Sequence, residues 1–371
     1  MRPQKTGRIH KKLKKRKPKG TISRAIASVC LTFAIAGLFG VVGYSVAKPL
    51  LRNWEATEED STASISMESS AQPVQTEAAS EQTTTAPQEE SVAQAAVEQL
   101  TGGVMLPASA LRSADTLQTY LEQLVAQIPQ QTAVIVPLKV QGGALLYHSN
   151  SSAATQANIA QGTMTLQEIA DLVQQYQYAP YASYSLLSDQ LMPQANAETS
   201  YLVGSERWID NNLEDGGKPW MNPFAPATSA YLTELLQEAQ QAGFSGILCA
   251  DVTFPPFRES DIAYIGDSVQ PQTRWSGLTD LMKTLTSSVQ LPVYLEISGT
   301  DLQTGTPEVL HDLTVWAPET VVVQVPDACT ETEWAAIQKA MDAFHLPWVA
   351  EQSVQTAAQT QAKGITKLTE S

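Results

Sequence analysis

Residues 226–253 read PATSAYLTELLQEAQQAGFSGILCADVT, and a change of period inside this stretch decides the fold class. Pro226 suits the first turn of a helix, where its missing N–H costs nothing. Leu232, Leu235, Leu236 and Ala239 then recur at helical spacing and form one apolar face, and Gly243 is the expected stop. Gly246 to Thr253 follows as a short apolar run, the pattern of a strand buried on both faces. A helix that feeds straight into such a strand is part of a parallel β/α repeat.

Outward from this stretch the alternation continues. Upstream are a helix around Thr116 to Gln127, the strand Ala133 to Lys139 and a second strand, Tyr181 to Leu187. Between the two strands, Thr165-x-x-Glu168 is a capping box for a helix with Leu166, Ile169, Ala170 and Val173 on its apolar face. Downstream come helix Gly277 to Ser287, strand Pro292 to Ser298, helix Pro307 to Val315 and strand Val321 to Val325. Helix Thr332 to Phe344, opened by a second capping box at Thr330-x-x-Glu333, and strand Pro347 to Ala350 complete the series. Parallel strands with right-handed crossovers over about 250 residues predict a closed (β/α)8 TIM-like barrel at 103–351. An open doubly wound sheet fits the same alternation. No G-x-G-x-x-G or phosphate loop follows a strand, which speaks against its nucleotide-binding form.

The N-terminal hundred residues are different in kind. Eleven Lys and Arg fall between Arg2 and Arg24 with no acid among them, and the remaining 12 face all 38 Asp and Glu, a formal charge of −26. Ala25 to Ala47 is an uncharged stretch of 23 residues, enough at about 1.5 Å per residue to cross a bilayer core of roughly 30 Å. The expected layout is a basic cytoplasmic tail at 1–24, a transmembrane signal anchor at 25–47 and an extracellular remainder, because positive charge stays inside. A signal peptide cleaved after Ser45-Val46-Ala47 is the competing account. The Ser, Thr, Gln and Glu of 48–102 predict a disordered linker, and 352–371 a flexible tail. A basic head followed by an apolar span and an acidic domain excludes nucleic acid as the expected partner.

Cys30 lies in the apolar span, and Cys249 and Cys329 lie beyond it, either disulfide-bonded or as two buried thiols. With three Cys, four His and no C-x-x-C pair, neither a metal site nor a cofactor is expected.

Trp220-Met221-Asn222-Pro223-Phe224, Tyr231, Gly243-Phe244, Ile247 and Val252-Thr253-Phe254-Pro255 together resemble the signature of a glycoside hydrolase family. That signature reads W-V-N-P-Y, a helix, then G-F-D-E-I-Q-F-D-Y-V-R-F-P, and it aligns without a gap from Trp220 to Pro255. Weaker echoes lie in Ala133 to Lys139 with Gly142, Gly143 and Tyr147, and in Glu206-Arg207-Trp208. The resemblance implies a barrel that acts on sugars through carboxylates at the C-terminal strand ends. The departures fall on that chemistry. The family's Asp becomes Ala250, its Tyr becomes Asp251, its Arg becomes Thr253, and its first-strand I-D-V-K appears as Val136-Pro137-Leu138-Lys139.

The remaining acids at strand ends are Asp251 and Glu296, and glycoside hydrolysis needs two carboxyls, about 5 to 5.5 Å apart for retention or about 6.5 to 9.5 Å for inversion. Asp251 follows Ala250 on a strand and so faces the opposite side unless the strand end re-aims it; otherwise it caps the next loop or pairs with Arg258. Asp189, Asp327 and Glu351 read as loop acids. The expected ligand-binding set is Trp208, Trp220, Asn222, Phe254, Arg258 and Lys139, with the aromatics open to a core role as well. Three functions follow as expectations: an envelope hydrolase acting on cell-surface or environmental polysaccharide, a catalytically silent barrel that binds glycan or a partner protein, or a lipid- or peptidoglycan-associated structural protein with no cleft.

Overall fold

The computed structural model describes residues 100–304, 320–360 and 363–369. The basic tail, the Ala25–Ala47 span, the linker up to residue 99 and the helix expected at 307–315 lie outside the described residues. Among the described residues no helix is long and apolar enough to cross a membrane.

Eight parallel strands close into a barrel: β1 (Gly103–Met105), β2 (Ala133–Lys139), β3 (Ala179–Ser185), β4 (Gly246–Ala250), β5 (Val293–Ser298), β6 (Val321–Gln324), β7 (Trp348–Ser353) and β8 (Gly364–Lys367). They neighbour one another in chain order, and β8 pairs with β1 to close the ring. The main outer helices are α1 (Ala114–Val125), α2 (Leu166–Gln175), α3 (Pro226–Gln241), α4 (Trp275–Ser287) and α5 (Glu331–Phe344).

Both capping boxes form as their spacing predicts: Thr165 N donates to Glu168 Oε2 at 2.7 Å, and Thr330 N donates to Glu333 Oε2 at 2.7 Å. The apolar face of α3 (Leu232, Leu235, Leu236 and Ala239) is fully buried against the barrel wall. Inside the ring, Ile135, Tyr181, Leu248, Tyr294, Val322, Val349 and Ile365 form a separate cluster, so the barrel interior is a packed core. Pro137 breaks the β2–β3 register before Lys139, since it has no N–H to offer the ladder.

Two expectations are corrected. The segment 352–371, expected as a flexible tail, supplies the end of β7, the helix Val354–Thr360 and the closing strand β8. Gly364 fits that seam because a Cβ there would meet the Ala350 carbonyl oxygen at 2.1 Å. The linker expected to run to 102 stops earlier, because Leu100 is buried in the inner cluster and its N–H donates to Tyr294 Oη at 3.4 Å. Cys249 and Cys329 are free and buried.

Candidate functional site

Side chains alternate along a strand, so the residue two places beyond an inner-core residue points into the barrel mouth. Glu296 follows Tyr294 in this way, Glu351 follows Val349, and Lys367 follows Ile365. Ser185, Ala250, Ser298, Gln324 and Ser353 sit at the matching level on β3 to β7, as the registers Ser185↔Ala250, Ser298↔Gln324, Gln324↔Glu351 and Ser353↔Lys367 require. The C-terminal mouth, where barrels of this kind carry their sites, is therefore polar.

Its floor carries more acid than base. Lys367 Nζ lies 2.9 Å from Glu351 Oε1, and the Glu351 side chain has 0% exposure against 41% for Lys367. Glu296 stands beside this pair. Burial pushes its carboxyl well above the ordinary carboxylate range, and the Glu351 charge, a hydrogen bond to Glu351 and the Asp251 charge add to the effect against an opposing pull from Lys367. The shift favours the proton-bearing form of Glu296, whose hydrogen bond is directed at Glu351. Burial alone would lower the Lys367 ammonium, but Glu351 outweighs it and the net shift is upward.

Asp251 joins them through a backbone device. With φ at +52° just past the end of β4, it leaves the strand and turns its carboxylate back over the mouth. Asp251 Oδ2 accepts from Ser185 Oγ at 2.5 Å, and Oδ1 accepts from Gln141 Nε2 at 2.8 Å. The strand end re-aims this acid, the first of the two placements left open by its sequence position. Arg258 is engaged elsewhere, donating to the Asp210 carbonyl at 2.9 Å and to Asn211 Oδ1 at 3.3 Å.

The ligand-binding expectations divide. Trp220 lines a cavity of about 300 Å³ with Gln141, Asp189, Asp210 and Lys218, and its indole N–H donates to Asp210 Oδ2 at 2.8 Å. Trp208 and Arg258 line a separate cavity of about 580 Å³ with Glu206, Asn212 and Asp261, and the remaining three are engaged within the fold. Lys139 is buried in an ion pair with Asp189 at 3.0 Å and donates to the carbonyls of Ser185 and Leu186, so its ammonium anchors the loops after β2 and β3. Asn222 Oδ1 accepts from Phe224 N at 3.0 Å and shapes the turn into α3. Phe254 is buried, stacked on Phe224 at 6.1 Å with the Arg274 guanidinium over its ring. Trp208 is buried against Phe257 and Tyr201.

Sequence reasoning missed Glu351 and Lys367. The period-2 spacing Val349-x-Glu351 and Ile365-x-Lys367 carries the signal, and it becomes readable only once β7 is extended and β8 is recognised. Another cavity of about 390 Å³ opens over Lys367, lined also by Ser298, Gln324, Asp327 and Ser353. Among the described residues no group of three or more His, Cys, Asp or Glu is placed to hold a metal ion.

No curated protein sequence matches this chain. Among solved structures, the glycoside hydrolase domain of PgaB (BpsB) from Bordetella bronchiseptica is similar at 12% identity and a TM-score of 0.51, over 73% of this chain and 94% of that one. A hypothetical protein from Ruminiclostridium thermocellum ATCC 27405 aligns at 16% identity and 0.42, over 52% and 96%. The glycoside hydrolase domain of PelA from Pseudomonas aeruginosa aligns at 12% identity and 0.40, over 72% and 94%. The first of these supports the barrel fold. A family pattern also spans residues 103–304, from β1 through β5 and into the helix after it, which is more than half of the chain. By that match the chain belongs to the family described as a putative glycosyl hydrolase domain.

Proposed function

We propose that the chain is a membrane-anchored hydrolase of the cell envelope, held by Ala25–Ala47 with its barrel outside the cytoplasm, and that it cleaves glycosidic bonds of a polysaccharide. The observation that carries this reading is the division of labour between two acids at one mouth. Burial and neighbouring negative charge raise the Glu296 carboxyl and favour its proton-bearing form, while Asp251 is fixed as an acceptor by Ser185 and Gln141. A carboxyl disposed to carry a proton beside a second carboxyl held as an acceptor is what acid-assisted glycoside cleavage needs.

In this scheme Glu296 gives its proton to the glycosidic oxygen as the C–O bond breaks. Asp251 meets the positive charge that grows at the anomeric carbon, as nucleophile or as base toward water. The cavities beside Trp220 and over Lys367 offer a stacking face, amides and hydroxyls for sugar rings on either side.

A second reading, a silent barrel that binds glycan or a partner protein, is favoured by Ala250, which stands where the family carries its strand-end acid. Incubating the full-length chain with a panel of polysaccharides, beside Asp251→Asn and Glu296→Gln, separates the two. Turnover lost in both variants supports hydrolysis. Turnover unchanged in both removes the assignment of these acids, and binding without turnover by the unaltered chain favours the silent barrel.

A further inference from the structure

Glu351 has no place in the chemistry so far, yet it sits where a purely structural acid is expensive. Its side chain is fully buried, so it touches no ligand, and its carboxylate faces a second carboxyl across the barrel floor. Burying a like-charged pair costs several kcal/mol unless a proton or a cation intervenes, and this site has a cation at hand. Lys367 on β8 is the cation, at 2.9 Å from Glu351 on β7, and Glu296 on β5 directs a hydrogen bond at the same Glu351 carboxylate. The other charges bearing on the cluster are Asp251, beyond β4, and Asp327, beyond β6, which acts on Lys367. An ion pair serving only to close the barrel would need Lys367 and Glu351 alone. The residues matched by the family pattern end at 304, so neither partner belongs to it.

We propose that Glu351 is a positioning residue for the acid Glu296: clamped by Lys367, its buried carboxylate accepts the Glu296 hydrogen bond and ties one proton to the pair. This rests on the reading of Glu296 as the general acid. When Glu296 protonates the leaving oxygen, the bonding electrons depart with that oxygen and two carboxylates are left side by side. Their repulsion favours recovery of a proton from the water that completes hydrolysis, which returns the pair to its starting state.

Infrared spectra of the full-length chain test this across pH, because a protonated carboxyl has its own C=O band whether or not a substrate is known. The unaltered chain shows the band at neutral pH, and Glu296→Gln removes it. In Glu351→Gln the midpoint of the band falls by more than about one pH unit, as the like charge is gone. In Lys367→Gln it rises, as the opposing cation is gone. Where polysaccharide turnover is measured, the basic limb of the kcat/KM profile moves with the band. Absence of the band at neutral pH overturns the proposal, and so does a folded Glu351→Gln with an unshifted midpoint. If Glu351→Gln does not fold, the unaltered chain and Lys367→Gln still decide. Shifts as expected without turnover of any glycan support the positioning role and remove the hydrolase reading instead.

Discussion

Ser185 Oγ donates to Asp251 Oδ2 at 2.5 Å, and this contact joins the end of β3 to a residue that has already left β4. It converts an acid whose place in the sequence points it away from the barrel axis into one held over the mouth. The left-handed backbone at Asp251 aims the side chain, and Ser185 and Gln141 keep it there.

Ser185→Ala removes one of the two side-chain donors to Asp251 while Gln141 remains. A hydrogen bond to a charged group contributes about 1.5 to 3 kcal/mol, so the expected outcome is a fall in kcat of about tenfold or more. Steady-state kinetics check this, with denaturant unfolding to show that the fold is retained.

Lys139→Met leaves Asp189 buried without its cation and is expected to destabilise the domain by about 3 to 5 kcal/mol. Adding Asp189→Leu should recover much of that loss, since it removes the orphaned charge. Gly143→Ala strains the same place, because φ there is +102° and a Cβ would lie 2.0 Å from Asp189 Oδ1. Urea midpoints of the three variants test whether this pair anchors the loops or contributes little.

Glu296 makes the protein less stable as pH rises. Its folded-state carboxyl titrates above the ordinary value, so over the window between the two the folded chain holds a proton that the unfolded chain has released. Stability from this group is therefore full below the ordinary carboxylate range and is lost as pH climbs toward the raised folded value. Glu168 and Glu333, lowered chiefly by the Thr165 and Thr330 backbone N–H groups, act in the opposite sense and lose their contribution as pH falls through their depressed values. Glu296→Gln is expected to raise Tm at neutral pH and to flatten its decline with pH, as read by calorimetry. An unchanged Tm profile would show that the Glu296 carboxyl is not raised in the fold.

The closing strand gives a prediction that the sequence pattern opposes. Removing residues 352–371 deletes β8 and exposes the edges of β1 and β7, so cooperative unfolding should be lost. Gly364→Ala, which presses a methyl group into the Ala350 carbonyl, should weaken the same seam. Circular dichroism melts distinguish a closing strand from a dispensable tail.

The helices and longer strands were legible because each advertises its own period and caps: Thr165 with Glu168, Thr330 with Glu333, and the apolar face of α3 ending at Gly243. Three-residue β1 and four-residue β8 were not, since runs such as Gly103-Val104-Met105 are too short to show a period. Half of the site vanished with β8, because Lys367 lies on it and the importance of Glu351 depends on Lys367. Asp251 and Glu296 were readable as acids at strand ends, whereas the backbone turn that re-aims Asp251 leaves no trace in residue type. Phe254, expected as a sugar platform, is core because aromatic composition does not distinguish an exposed ring from a buried one.

The assignment of Glu296 as the acid is tested most directly by comparing two substrates in Glu296→Gln. A polysaccharide needs its leaving oxygen protonated, while an aryl glycoside of the same sugar, with an acidic phenol as leaving group, does not. The variant should lose about 10² to 10⁴ in kcat/KM on the polysaccharide and little on the aryl glycoside. Equal losses on both substrates, or no loss on either, would contradict the account.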